Sequence, residues 1–331
     1  MRTPILLVLA TVGLCAAAPP IAAEQGFDVL VLGARGGIED GNLSAFMIAP
    51  AGDDRAVTCD AGSLVNGLRV ADEKGALDSV VVPEESPYTR VGHVLTEQIK
   101  GYLISHAHMD HIAGLVIASP DDQKKPIYGL PSVTTLIQDN YFNWAVWPNF
   151  AFGGKEPQLK KYALTDLVPG EKRTLENTGM EVTAYPLSHS GAESTAFLIE
   201  SGEDAILCFG DTGPDEVEKS TRMHDVWAAV AERVRAGILK AIIVEVSYVN
   251  AQPDKFLFGH LTPAWLQKSL SELETLAGAG SLTDLPVVVS HVKYSLKKGD
   301  LPTQQILGEL EAANSLGIRY VMPEQGMKFR F

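Results

Sequence analysis

The sequence predicts a layered α/β fold around one large core, and three observations carry that prediction. Short β-type runs alternate with helical ones along most of the chain, with no repeat and no low-complexity linker. At 331 residues and 46% hydrophobic content, the chain can bury such a core. Histidine and aspartate residues stand just past the C-terminal ends of several apolar runs, where α/β proteins gather their chemical groups.

The elements follow in order. Residues 1–23 read as a secretory signal peptide: Arg2, an apolar run from Ile5 to Cys15, then Pro19-Pro20 and Ile21-Ala22-Ala23. The apolar run is too short to span a bilayer. Leu14 is bulky where lipoprotein processing at Cys15 needs a small residue, so the expectation is a soluble exported protein, periplasmic or secreted, beginning near Glu24. Residues 24–331 read as a single domain. Strands are expected over 27–32, 44–49, 56–59, 101–104, 180–185, 195–199, 205–209, 241–246, 286–289 and 327–331. Helices are expected over 88–98, 111–118, 133–142, 224–234, 263–276 and 303–313, with Thr262 as N-cap ahead of Pro263.

Charge narrows the function. The chain carries 27 basic and 41 acidic side chains, a net charge of −14. Such a surface repels polyanions, and no dense Lys/Arg run offers a nucleic-acid footprint. Beyond the leader, Cys59 and Cys208 each lie inside an apolar run. Two buried free thiols are the commoner outcome for such positions, and one disulfide in an oxidising compartment is the alternative.

The chemistry concentrates in Ser105-His106-Ala107-His108-Met109-Asp110-His111, which follows an apolar strand and leads into a helix. Residues two apart in an extended segment point the same way. His106 and His108 can therefore grip one cation while Asp110 and His111 face a second. Imidazole and carboxylate are the ligand set of zinc, iron and manganese hydrolases. His189, Asp211 and His291 each close a later strand, and together they supply the two imidazoles and one carboxylate needed to complete two sites. A lone His at a strand end is more often solvated, and Gly210-Asp211 alone would read as a turn. His93 and His224 fall outside any motif and read as solvated or core residues.

The segment from His106 to Pro120, HAHMDHIAGLVIASP, resembles the signature of the class II cyclic nucleotide phosphodiesterases, a branch of the metallo-β-lactamase fold. Similarity extends to Gly33-Ala34-Arg35-Gly36-Gly37, Cys59-Asp60-Ala61-Gly62-Ser63, Trp147-Pro148-Asn149, Phe209-Gly210-Asp211-Thr212 and Ser290-His291-Val292-Lys293. Met109 stands where the family usually has Leu, a volume-conserving swap. The resemblance implies an αββα four-layer sandwich of two mixed sheets flanked by helices. It implies that His106, His108 and His189 hold one metal, that Asp110, His111 and His291 hold the other, and that Asp211 bridges them. Zinc is the expected ion, with manganese or iron as alternatives. Family analogy also implies a homodimer.

The expected reaction opens a 3′,5′-cyclic phosphodiester. A pair of cations lowers the pKa of a shared water to roughly 7, far below its bulk value, in-line attack follows at phosphorus, and departure of O3′ leaves the 5′-monophosphate of cyclic AMP or cyclic GMP. The catalytic set is read as Asp110, His260 and Glu245. His260 protonates the leaving oxygen and Glu245 orients it, similar to a Glu and His-x-Thr pair in transfer-RNA-processing relatives. Trp147, Asn149 and Lys293 are candidate substrate contacts. The aromatic cluster Tyr141, Phe142, Trp144, Trp147 and Phe150 fits a base-stacking wall worth about 1–3 kcal/mol, or equally a core or dimer contact. The same two-metal site also fits a lactonase, a β-lactamase or another phosphodiesterase, and least well a non-catalytic metal-binding protein.

Overall fold

The computed structural model describes residues 24–331, and the expected signal peptide, residues 1–23, lies outside the described residues. The chain runs through β1 (Phe27–Gly33), the short β2 (Arg35–Gly36), β3 (Ala45–Pro50), β4 (Ala56–Cys59), α1 (Val65–Glu73), α2 (Arg90–His93), β5 (Ile99–Leu103), α3 (Met109–Ala118), β6 (Lys125–Gly129), α4 (Pro131–Asn140) and β7 (Tyr162–Asp166). It continues through β8 (Lys172–Thr174), β9 (Glu181–His189), β10 (Ala192–Ser201), β11 (Asp204–Phe209), α5 (Asp215–Glu218), α6 (Arg222–Arg235) and β12 (Leu239–Glu245). The last part holds α7 (Pro263–Ala277), β13 (Pro286–Ser290), β14 (Val292–Lys293), α8 (Pro302–Ala312), β15 (Arg319–Val321) and β16 (Lys328–Arg330). One mixed sheet has the order β16-β1-β3-β4-β5-β6-β7, the other β15-β13-β12-β11-β10-β9-β8, and β14 pairs with β2 between them.

The layers follow from the two-residue period of a strand. Phe197, Ile199, Ile206, Cys208, Ile243 and Val288 join a core shared with the first sheet. Their neighbours Leu198, Leu207, Ile242, Val244, Val287 and Val289 pack under α6, α7 and α8. Strands covered on both faces need apolar residues on both, which is why β11 to β13 are apolar along most of their length. On the first sheet, α1, α3 and α4 add Leu68, Ile112, Leu115, Val133 and Ile137. The expected four layers are therefore present.

Some elements are not announced by composition. α1 contains Gly67, a weak helix former, because a Cβ there would sit 2.2 Å from the Leu32 carbonyl oxygen and hold the helix off β1. β6 carries Pro126 and Lys125, which argue against a strand. The buried Lys125 ammonium is nonetheless satisfied by Asp122 at 2.8 Å and the Leu95 carbonyl at 2.7 Å. The helix expected over 88–98 divides into α2 and a π-helical stretch over Val94–Gln98. Thr262 does cap α7, its hydroxyl accepting from the Trp265 N–H.

Of the two outcomes open for the cysteines, the less common one is found. Cys59 at the end of β4 and Cys208 in β11 form a disulfide that joins the two sheets. They lie 149 residues apart in the sequence, so no local spacing reveals that they face each other.

Candidate active site

The chain leaves β5 buried and turns at Ser105, bringing His106 inward and placing His108 immediately ahead of α3. Asp110 and His111 then occupy the first turn of that helix. Met109 is 58% exposed, so the exchange of Leu for Met at this point presses on no ligand. One carboxylate behind the loop organises it. Asp60 accepts the Ser105 N–H at 2.8 Å, the Ser105 hydroxyl at 2.9 Å and His111 Nδ1 at 2.7 Å. The Ser105 oxygen lies 3.0 Å from His106 Nδ1. Asp60 adopts φ 56°, a left-handed conformation that carries some strain and that aspartate tolerates better than most residues.

The second sheet delivers the remaining groups from four strand ends. His189 ends β9 and gives Nδ1 to the Gly259 carbonyl at 2.7 Å. Asp211 follows β11, Glu245 ends β12, and His291 follows β13 with φ 59°. These residues turn toward the His106–His111 loop and meet it. Asp211 Oδ2 lies 3.8 Å from His106 Nε2, 3.3 Å from His111 Nε2, 3.7 Å from His189 Nε2 and 3.3 Å from His291 Nε2. His291 Nε2 is 3.2 Å from Asp110 Oδ2 and 3.1 Å from His111 Nε2, and His108 Nδ1 is 3.3 Å from His189 Nε2. Gly36 lies so close to the His291 ring that a Cβ there would be 2.1 Å from Cε1, which gives this glycine a steric reason.

Beside this cluster, His260 Nδ1 lies 2.8 Å from Glu245 Oε1, which also accepts the Thr212 N–H at 3.0 Å. Glu245 Oε2 accepts the Ser247 hydroxyl at 2.7 Å, and the same oxygen of Ser247 is 2.9 Å from His291 Nδ1. The Glu245–His260 pair read from the sequence is thus in contact, on the cluster's edge.

Electrostatics fit a cation site. Burial, with repulsion from His111, holds His106 well below the usual imidazole range, and burial does the same more mildly for His108 and His189. These rings are neutral and carry free lone pairs. Burial also opposes charge on His111 and His260, but the carboxylates outweigh it: Asp211 and Asp60 raise His111 well above its ordinary value, and Glu245 and Asp211 raise His260. Burial would raise Asp211, yet the facing His111, His291 and His260 hold it well below the carboxylate range.

Among the described residues, Asp60, Asp110, Asp211 and Glu245 form ion pairs with imidazoles and with no Lys or Arg. His106 Nε2 is buried with no hydrogen-bond partner, an arrangement that protein chemistry otherwise avoids. Grouped donors include His106, His108 and His189 on one side and Asp110, His111 and His291 on the other. The residues present fit two divalent cations.

The candidate substrate contacts fare less well. Asn149 is fully buried, and its side chain is used up by the Gly153 and Lys155 carbonyls and the Ala151 N–H. The Trp147 indole N–H donates to Ser119 Oγ while its ring packs on the core. These contacts give both residues a structural duty, and Phe142 and Phe150 are buried in the same core. Apolar residues around 141–150 are needed to close the end of the first sheet, so composition alone could not separate a ligand wall from a lid on the core. Lys293 is different: β14 sets it opposite Gly36, and its ammonium lies near Gly37, whose N–H donates to Asp110 at 2.7 Å. Asp60, in Cys59-Asp60-Ala61-Gly62-Ser63, carries no sequence signal of this role, and nothing local signals Ser105 or Ser247.

Known proteins share these features. The family described as class-II cAMP phosphodiesterases matches residues 27–326. A 3′,5′-cyclic-nucleotide phosphodiesterase of Aliivibrio fischeri is 51% identical over 98% of each chain. A probable 3′,5′-cyclic-nucleotide phosphodiesterase of Yersinia pestis is 42% identical, over 93% of this chain and 90% of that protein. Unliganded yeast PDE1 superposes with a TM-score of 0.81 at 27% identity, over 93% of this chain and 100% of that one. A metallo-β-lactamase fold protein of Bacillus subtilis, at 16% identity and a TM-score of 0.61, shares the fold. With its sheets, its metal-ready cluster and these relatives in agreement, the chain belongs to the class II cAMP phosphodiesterases, built on a metallo-β-lactamase fold.

Proposed function

We propose that this chain is an exported hydrolase that opens 3′,5′-cyclic nucleotides, cyclic AMP and cyclic GMP, to the 5′-monophosphates at a two-zinc site. The observation that carries the reading is the single carboxylate oxygen of Asp211 with four imidazole Nε2 atoms between 3.3 and 3.8 Å around it. His106, His108 and His189 would hold one ion, Asp110, His111 and His291 the other, and Asp211 both. When bound, two such ions supply water of lowered pKa and offset charge developing on the phosphoryl oxygens.

The chain's own residues do the rest. Glu245 takes the Nδ1 proton of His260 as a hydrogen bond, so Nε2 is the atom that delivers a proton to the departing O3′. Burial opposes charge on Glu245, yet the facing His260 holds its carboxyl below the usual range, and the Thr212 N–H and the Ser247 hydroxyl add hydrogen bonds to it. Lys293, at the site's edge, supplies a cation for the substrate phosphate.

Export is supported by the leader-like composition of residues 1–23 and by the Cys59–Cys208 disulfide, a bond favoured in oxidising compartments. No described helix is long and apolar enough to cross a membrane. A homodimer is supported by exposed apolar side chains, Ile117, Leu136, Trp144, Val146, Phe152 and Leu159, on α3, α4 and the segment after it.

One preparation tests the reading. Protein recovered from the periplasmic fraction should begin near residue 24, run as a dimer by light scattering and carry two zinc ions per chain. It should convert 3′,5′-cyclic AMP to 5′-AMP, losing that activity to a chelator and regaining it with zinc. A metal-loaded preparation that leaves cyclic AMP intact while hydrolysing a lactone or a cephalosporin would overturn the substrate assignment.

A further inference from the structure

We propose that Ser247 is a positioning residue that ties the ligand His291 to the carboxylate holding the general acid, so that one anion, Glu245, orients both. The inference rests on the functional reading above. Ser247 is buried, and its single hydroxyl oxygen meets Glu245 Oε2 at 2.7 Å, His291 Nδ1 at 2.9 Å and the His291 carbonyl oxygen at 3.1 Å.

A serine hydroxyl has one proton to give and two lone pairs to receive. The carboxylate is charged and nearer than the carbonyl, so the proton goes to Glu245. The Ser247 oxygen can then only accept from His291, which fixes the His291 proton on Nδ1. The lone pair of His291 is left on Nε2, among Asp110, His111 and Asp211.

The opposite assignment fails on the same atoms. If Ser247 gave its proton to His291 Nδ1, a neutral ring would carry its own proton on Nε2, aimed into the ligand cluster. Glu245 Oε2 would keep only the Leu261 N–H, at 3.5 Å, leaving a buried carboxylate oxygen almost without donors.

The first sheet carries the same device. Ser105 gives its proton to Asp60 and faces His106 Nδ1, and the free atom of that ring is Nε2, the buried nitrogen with no partner. Two serines, one in each half of the site, thus set the tautomers of one ligand each. Groups in this outer position typically change metal affinity 10- to 100-fold when removed.

The test reads metal rather than turnover. Protein loaded with two equivalents of zinc is titrated with a competing chelator, comparing the parent with Ser247→Ala, Ser105→Ala and the double variant. Ser247→Ala should release one of its two ions about 10- to 100-fold more readily while holding the other as the parent does. The double variant should release both. A Ser247→Ala protein that holds both ions as tightly as the parent overturns the role of Ser247 and leaves the two-metal reading standing. A parent that binds no zinc overturns both. Should Ser247→Ala fail to melt cooperatively, nitrogen-15 spectra of the zinc-loaded parent decide instead. A His291 proton on Nδ1 supports the proposal, and one on Nε2 sinks it.

Discussion

In the first sheet Asp60 holds His111 directly and His106 through Ser105, whereas in the second Glu245 holds His260 directly and His291 through Ser247. The wiring is the same, but its outputs differ. Both imidazoles on Asp60 are among the grouped donors, so on the proposed reading that half is committed to holding ions. On the proposed reading the two imidazoles on Glu245 part ways, His291 to hold an ion and His260 to move a proton. Buried carboxylates are tolerable in both places because each is surrounded by donors. The comparison teaches that a carboxylate's function here is set by which ring it reaches directly.

The sharpest way to break that division is at His260. His260→Ala should lower kcat by about 10²- to 10⁴-fold, the range for loss of a general acid, with two ions retained by metal analysis. Glu245→Gln should follow with a smaller loss, since the ring remains but its orientation and charge support weaken. If His260→Ala emerges with one ion missing, His260 is a ligand and the two halves have the same duty.

A smaller effect tests the other hub. Asp60→Asn replaces an acceptor of three hydrogen bonds with a group that can accept through one oxygen only. Metal affinity should fall about 10- to 100-fold, and excess zinc should restore most of the turnover. Full retention of metal by Asp60→Asn would mean that the loop after β5 holds its shape unaided.

The same contrast explains what could be read from the sequence. In the first half four grouped donors, His106, His108, Asp110 and His111, lie within six residues because one turn between β5 and α3 carries them, and a strand followed by HxHxDH is visible without coordinates. The second half is spread over the chain because four strands each deliver one group, His189, Asp211, Glu245 and His291, while His260 comes from the loop before α7. None of these alone marks a site; four are legible as strand-end positions, and His260 through the likeness to a Glu and His-x-Thr pair. Asp60, Ser105 and Ser247 were not read as functional because a buried carboxylate or hydroxyl gains its meaning from the atom it faces. The same limit applied to the fold: apolar runs covered on both faces stood out, whereas β6, with Lys125 satisfied internally, and α1, with Gly67 pressed on β1, required the packing to be known. Asn149 and Trp147 show the same limit, since a motif can be kept by a fold as well as by a ligand.

The disulfide joins the two halves next to their key groups, with Cys59 adjacent to Asp60 and Cys208 three residues before Asp211. Its removal gives the smallest expected effect on catalysis. Cys59→Ser/Cys208→Ser should lose about 2–5 kcal/mol of stability, mostly by freeing a long loop in the unfolded chain, and the melting temperature should fall accordingly. At 25 °C kcat and metal content should stay close to the parent's, because Val57, Ile206, Phe197 and Ile243 already pack the sheets together around the bond. The measurement is a thermal melt beside a zinc count and a rate on the same sample. If metal is lost while the protein remains folded, the bond is fixing the distance between Asp60 and Asp211, and the two halves are held in register by one covalent link rather than by the shared core.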